Sequence, residues 1–257
     1  MMQMPLLRSL AFRLLPASIV VLVAASVHAQ IAAPQALKPF SIYNGHPPRT
    51  VVGESLVRGG RGKAVLDPVL QGDVVHHEVK IVNDSDTPWT LENLQVCSGC
   101  MLNGWTKIIG AGETGSIAFV IPTDAWGGQT LEGTIQADTN AAAPSQLAID
   151  VELEIREFAA LDPYRLWLKG SASESIQETC LVVPNADYPF SITGIKTRKG
   201  VWIEHEVRKT EHEGQLAYAI DVRNTRKKPG PYQDVLFVQT DHPERPEFKI
   251  RIEGRIE

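Results

Sequence analysis

From Ala64 onward, apolar and polar side chains alternate along the chain. Val75, His77, Val79 and Ile81 fall on one side of a two-residue period and His76, Glu78 and Lys80 on the other. The pattern returns at Ile117, Phe119 and Ile121, and again from Leu147 through Ile149, Val151 and Leu153 to Ile155. A second set follows: Ile176, Cys180 and Val182, then Tyr218, Ile220 and Val222, then Phe248, Ile250 and Ile252. A period of two sends successive side chains to opposite faces, so these runs predict half-buried β-strands. Turn signals such as Asn83-Asp84-Ser85-Asp86 and Asn185-Ala186-Asp187 separate them. Past the N-terminus no stretch holds a helical period for three turns. About seven short strands per hundred residues favours an immunoglobulin-like sandwich.

The second set of strands is a copy of the first. Under a shift of 101 residues, Val79–Ile155 lies on Cys180–Ile256 without a gap. Val82, Asp86, Pro88, Gly99, Thr139, Ile149, Glu152 and Ile155 then meet identical residues. A repeat of that length is a whole sandwich rather than a solenoid unit of about 20–50 residues. The expected fold is therefore all-β, two tandem immunoglobulin-like β-sandwiches over residues 64–157 and 158–257. The boundary falls near Glu157 to Asp162, with little room for a linker, so the sandwiches should sit end to end with limited freedom.

The N-terminus follows other rules. Arg8 and Arg13, the apolar stretch Leu14 to Val27 and the small-residue site Val27-His28-Ala29 read as a cleavable secretory signal peptide over residues 1–29, with a retained anchor as the alternative. Residues 30–63 carry Pro34, Pro39, Pro47, Pro48 and the run Arg58-Gly59-Gly60-Arg61-Gly62-Lys63, which suggests a flexible arm. The Gly62-Lys63 pair is no Walker loop, because Val57 and Ala64 stand where a glycine and a hydroxyl residue are required. Export implies a periplasmic or secreted protein. No transmembrane helix is expected in the mature chain.

Removing residues 1–29 takes away two of the 25 basic residues and none of the 30 acidic ones, leaving a net charge of −7. Nothing in that balance favours nucleic acid as a partner. Three cysteines allow one internal disulfide and leave one thiol over.

The segment Val69 to Asn83, with Gly72 and Asn83, then Cys97 with Cys100, then Ala111-Gly112-Glu113, resembles a bacterial exported family called domain of unknown function 1573. A glycine followed by a strand and Thr-Asn or Thr-Asp belongs to the same pattern. It is met by Gly128 with Thr139-Asn140 and, in copy two, by Gly230 with Thr240-Asp241. That family is similar to the immunoglobulin-like domains of abnormal-spindle and Hydin proteins. The resemblance covers residues 65 to 257 and implies a β-sandwich and export, without an established activity.

Candidate chemistry lies where the two copies differ. Cys97-Ser98-Gly99-Cys100 in copy one is Arg198-Lys199-Gly200-Val201 in copy two. A four-residue turn brings its ends within about 7 Å, which suits a disulfide. Three readings stand open: a turn disulfide or inert thiols; a copper site using the soft ligands Cys97, Cys100 and Met101, with His76 or His77 added; and a redox-active dithiol. His77 points inward and reads as a partly buried structural histidine, and Cys180 as a small buried hydrophobe. Topology places the cysteine turn at one pole beside Asp124-Ala125-Trp126-Gly127-Gly128, at or near the junction of the sandwiches. The same pole of copy two collects Lys196, Arg198, Lys199, Arg226, Lys227 and Lys228, a candidate patch for an anionic partner. No nucleophile elbow or paired-carboxylate site emerges. The expectation is a non-catalytic exported binding or structural module that uses no cofactor and whose partner is a protein or a cell-envelope component. The alternative is a periplasmic thiol or copper-binding protein.

Overall fold

The computed structural model describes residues 47–257; the expected signal peptide and residues 30–46 of the expected arm lie outside them. Among the described residues there is no helix long and apolar enough to cross a membrane. The fold is all-β.

The first sandwich is built of β1 (Thr50–Arg58), β2 (Arg61–Leu70), β3 (Val74–Val82), β4 (Trp89–Gln95), β5 (Met101–Trp105), β6 (Ile108–Ile109), β7 (Thr114–Pro122), β8 (Gln129–Thr139) and β9 (Gln146–Arg156). One sheet has the order β1-β3-β7-β5, the other β2-β9-β8-β4-β6. Val79, Ile117 and Ile121 from one inner face meet Trp89, Ile135, Ile149 and Leu153 from the other, all fully buried. These are the inward positions of the two-residue period, and burying each large aliphatic stabilises by about 1.5–3 kcal/mol.

Residues 50–63 correct the expectation of a loose arm reaching to position 63. β1 pairs in parallel with β3 from Thr50 to Arg58, and β2 pairs in parallel with β9 from Arg61 onward. The sandwich therefore begins at Thr50, and Gly59, at φ 66°, makes the tight turn between the two strands.

The second sandwich contains β10 (Ala159–Asp162), β11 (Arg165–Gly170), β12 (Gln177–Pro184), β13 (Ile192–Thr197), β14 (Ile203–His212), β15 (Gln215–Asn224), β16 (Gly230–Thr240) and β17 (Glu247–Ile256). Its sheets run β10-β12-β15-β14 and β11-β17-β16-β13. Phe190 fills the place of Trp89, and Cys180 that of Val79. The repeat extends to detail. Thr139 donates its hydroxyl to the carbonyl of Pro144, and Thr240 does the same to Arg245. Leu70 N–H is capped by Asp73, and Ser171 N–H by Glu174.

Only two residues separate β9 from β10, and the junction is packed and hydrogen-bonded. Leu70 of the first sandwich joins the core of the second. Gln71 accepts the amides of Phe158 and Ala159 at 3.1 and 3.3 Å and donates to the carbonyl of Asp124 at 3.2 Å. Phe158 stacks on Phe190 with ring centroids 4.8 Å apart. Arg245 reaches across from the β16–β17 loop to Asp73 at 2.7 Å.

Candidate functional site

The turn between β4 and β5 is closed by a disulfide between Cys97 and Cys100, with Cα atoms 5.1 Å apart. Cys100 N–H donates to the carbonyl of Cys97 at 2.9 Å, and Gly99 adopts φ 83°, the value that the third position of a type II turn demands. Cys97 is buried against Gly133, where a Cβ would stand 2.5 Å from that of Cys97. Gly99 presses on the indole of Trp126 and on Leu131, each about 3 Å from where a Cβ would project. The loop that carries Trp126 is pinned by Trp126 N–H to Thr123 O and by Gln129 N–H to Trp126 O. The turn is thus a fixed wall rather than a mobile tip.

That wall faces the second sandwich, where the topology of the sequence placed it. Gly99, Pro122 and Trp126 from the first sandwich, with Leu161, Tyr164 and Arg251 from the second, line a cleft of about 240 Å³. Its floor carries charge. Arg165 pairs with Glu253 at 2.7 Å and lies over the rings of Tyr164 and Trp167, and Lys249 stands 3.9 Å from Asp124. Aromatic faces beside cations suit an anionic or planar polar group.

The other sequence-predicted residues have these places. Met101 opens β5 with its side chain exposed, two strands from His76; both pair with Val120 of the intervening β7. His77 is buried, bonded through Nε2 to Ser55 Oγ at 2.8 Å, and burial lowers its pKa. The copper reading requires thiolates at Cys97 and Cys100, and the disulfide engages both sulfurs. Among the described residues no three His, Cys, Asp or Glu side chains gather where they could hold a metal ion. Cys180 is fully buried, its thiol pushed up to about 12 by burial and by Asp162.

Two loops bring together Arg198, Lys199, Arg226, Lys227 and Lys228 of the second sandwich, whereas Lys196 lies back along β13, paired with Phe237. Thr225 N–H donates to Trp202 O at 2.8 Å, so the 225–229 loop lies against the 198–202 turn. Asp234, buried, accepts the amides of Lys199 and Gly200 at 3.0 and 2.9 Å and shapes that turn. Arg226 is folded back: its guanidinium lies 5.1 Å over the Trp202 ring and donates to the carbonyls of Lys228 and Pro229. Lys196, Lys199, Lys227 and Lys228 are exposed and Arg198 is half-buried.

Sequence reasoning did not find Asp73, Arg245, Tyr164 or Arg251. One signal was present: under the 101-residue shift Arg245 replaces Pro144, a charged residue in a loop whose counterpart is apolar.

Residues 62–153 match the family described as "Protein of unknown function (DUF1573)", the family that the Gly72–Asn83–Cys97–Cys100 pattern resembles. No curated protein matches the sequence. Among solved structures, the chain is similar to a protein of unknown function from Porphyromonas gingivalis W83, with 11% identity over 70% of this chain and 91% of that one, at a TM-score of 0.33. It is similar to the secreted serine protease VesC from Vibrio cholerae at 8% identity, over 69% of this chain and 49% of that one, with a TM-score of 0.31. A third likeness is to Dpr2 Ig1-Ig2 in complex with DIP-Theta Ig1-Ig3, at 8% identity over 76% and 62% of the two chains and a TM-score of 0.22. Identities this low carry no activity across.

Proposed function

We propose that the protein is an exported, non-catalytic binding module whose partner is a protein or another component of the cell envelope. The observation that carries this reading is the junction. Leu70 is buried in the neighbouring core, Gln71 holds the two chain amides at the boundary, and Asp73 and Arg245 form a buried pair. Linked immunoglobulin-like domains usually move relative to each other unless their interface is large and apolar. Here the hydrogen bonds and the buried pair at the junction would restrict that movement and hold the cleft walls together. Such rigidity reduces the entropy cost of binding a partner. The disulfide fits the same role, as a brace that keeps Gly99 and Trp126 in the cleft wall.

Export rests on the Leu14 to Val27 stretch and the Val27-His28-Ala29 site. Recovery from the periplasmic or secreted fraction of a chain beginning at Gln30 supports it, and retention in the cytoplasm refutes it.

The binding reading is tested in living cells with a photo-reactive phenylalanine at Ala125 in the cleft or Val201 in the basic loops, and at exposed Gln136 as control. Discrete adducts at Ala125 or Val201, absent at Gln136, are expected. No adduct at either position removes the reading.

A further inference from the structure

The pole of the second sandwich away from the junction is a cationic tip with an apolar centre. β16 starts there at Gly230 and ends at Thr240, beside the loop whose Arg245 holds Asp73. Its 11 residues span about 35 Å at ~3.3 Å per residue, so the tip stands far from the interface. Val201 is 58% exposed and Trp202 37% exposed. Lys199, Lys227 and Lys228 lie in the same two loops, and none of the three forms an ion pair among the described residues. The nearest acids are otherwise engaged: Asp234 is buried under the turn amides, Glu204 is paired with Arg223, and Glu174 caps Ser171. Glu257, also at this end, and Glu178, exposed on β12 opposite Val222, have no side-chain partner among the described residues.

The tip is organised in advance. Arg226 clamps the ring of Trp202 from one side while bonding its own loop, and Thr225 joins the two loops through the Trp202 carbonyl. An exposed indole held in place at the end of a sandwich, beside an exposed valine and with lysines in the same two loops, matches the chemistry of a membrane–water interface. There the apolar ring leaves water while its N–H stays hydrated, and lysines stretch toward headgroup charge. Cations alone would suit any polyanion, and the Val201–Trp202 pair adds the element that a lipid surface accepts. We propose that this tip docks on an anionic lipid surface, with Val201 and Trp202 entering the headgroup layer and Lys199, Lys227 and Lys228 meeting its phosphates. The proposal rests on the binding-module reading and names one partner class for it.

Cosedimentation of the full chain with large unilamellar vesicles tests it, using equal parts phosphatidylglycerol and phosphatidylcholine against phosphatidylcholine alone. Binding to the anionic vesicles only is expected, weakening as salt rises. Combined Lys199→Glu, Lys227→Glu and Lys228→Glu changes weaken it at least about 100-fold, since each lysine is worth about fivefold near such a surface. Trp202→Ser weakens it about tenfold with the charge intact, Trp202→Phe retains it, and Lys107→Gln in the first sandwich leaves it unchanged. Should Trp202→Ser disturb the fold by circular dichroism, Val201→Ser, at a more exposed site, is expected to weaken binding in its place. Failure of the unaltered protein to bind anionic vesicles overturns the proposal. So does binding that falls with the lysines but ignores both Trp202 and Val201, the mark of an anionic polysaccharide or acidic protein. Either result leaves the photo-adducts of the cleft untouched, so the broader reading stands or falls separately.

Discussion

Arg245 donates to Asp73 at 2.7 Å with both side chains buried, joining positions 172 residues apart in different sandwiches. Asp73 is saturated, since it also accepts Leu70 N–H at 3.1 Å and pairs with Arg49 at 3.1 Å. Removing one partner of a buried pair strands the other charge and costs about 3–5 kcal/mol, whereas replacing both with apolar groups is often close to neutral. Asp73→Ala is therefore expected to lower stability by about that amount in urea unfolding, and Asp73→Ala with Arg245→Met to recover most of it. Small-angle scattering should show the single variant, but not the unaltered protein, populating bent arrangements. Equal losses in the single and double variants would show that the pair is not coupled.

Thiol counting distinguishes the three cysteines. Cys97 and Cys100 are joined, and Cys180 is fully buried with its pKa pushed up to about 12. An aromatic disulfide reagent at neutral pH should find no reactive thiol in the native protein, one after denaturation, and three after denaturation with reductant. A reactive thiol in the native state would contradict the burial of Cys180.

Closing a four-residue loop stabilises by only about 2 kcal/mol. The second sandwich folds with Arg198 and Val201 in the places of Cys97 and Cys100. The Cys97→Ser and Cys100→Ser double variant should therefore stay folded and lose about that much in denaturant unfolding. Gly99→Ala is a separate probe: φ 83° and the nearby Trp126 and Leu131 both oppose a Cβ, and the left-handed conformation alone costs about 1–2 kcal/mol. It should also alter Trp126 fluorescence, which the serine variant disturbs less.

The strands were readable because burial on one face repeats with period two. Ile135 opposite Ile149 and Leu236 opposite Ile250 obey the 101-residue shift in both partners. One slip escaped it. Val79 faces Ile117, but Cys180 faces Ile220 rather than Tyr218, because the long β14–β15 hairpin displaces β15 by two residues. A slip of two keeps every inward side chain inward, so alternation cannot reveal it. β1 escaped for a different reason. Its inward positions Val51, Gly53, Ser55 and Val57 are mostly small or polar, because the His77 ring occupies that space. The cleft and the Asp73–Arg245 pair depend on loops from two domains meeting, which no local pattern encodes.

His77 ties that exception to pH. A Cβ on Gly53 would stand 2.9 Å from its Nδ1, Ser55 bonds its Nε2, and Phe119 lies 5.6 Å away, so the ring is enclosed by β1 and its own core. Burial lowers its pKa below the ordinary value of 6.5, and nearby Glu54 opposes this to a smaller extent. In the unfolded chain the imidazole takes up its proton as pH falls through about 6.5, while the folded protein still excludes it. Over that interval the unfolded state binds more protons, so stability declines as pH falls and levels off below the folded pKa. One such group can contribute a slope of at most about 1.4 kcal/mol per pH unit. The urea midpoint should thus drop between pH 7.5 and 5.5 by more in the unaltered protein than in His77→Gln. Parallel pH profiles for the two proteins would place the sensitivity elsewhere. An accompanying loss of hydrogen-exchange protection confined to β1 would locate the step at the strand that His77 holds.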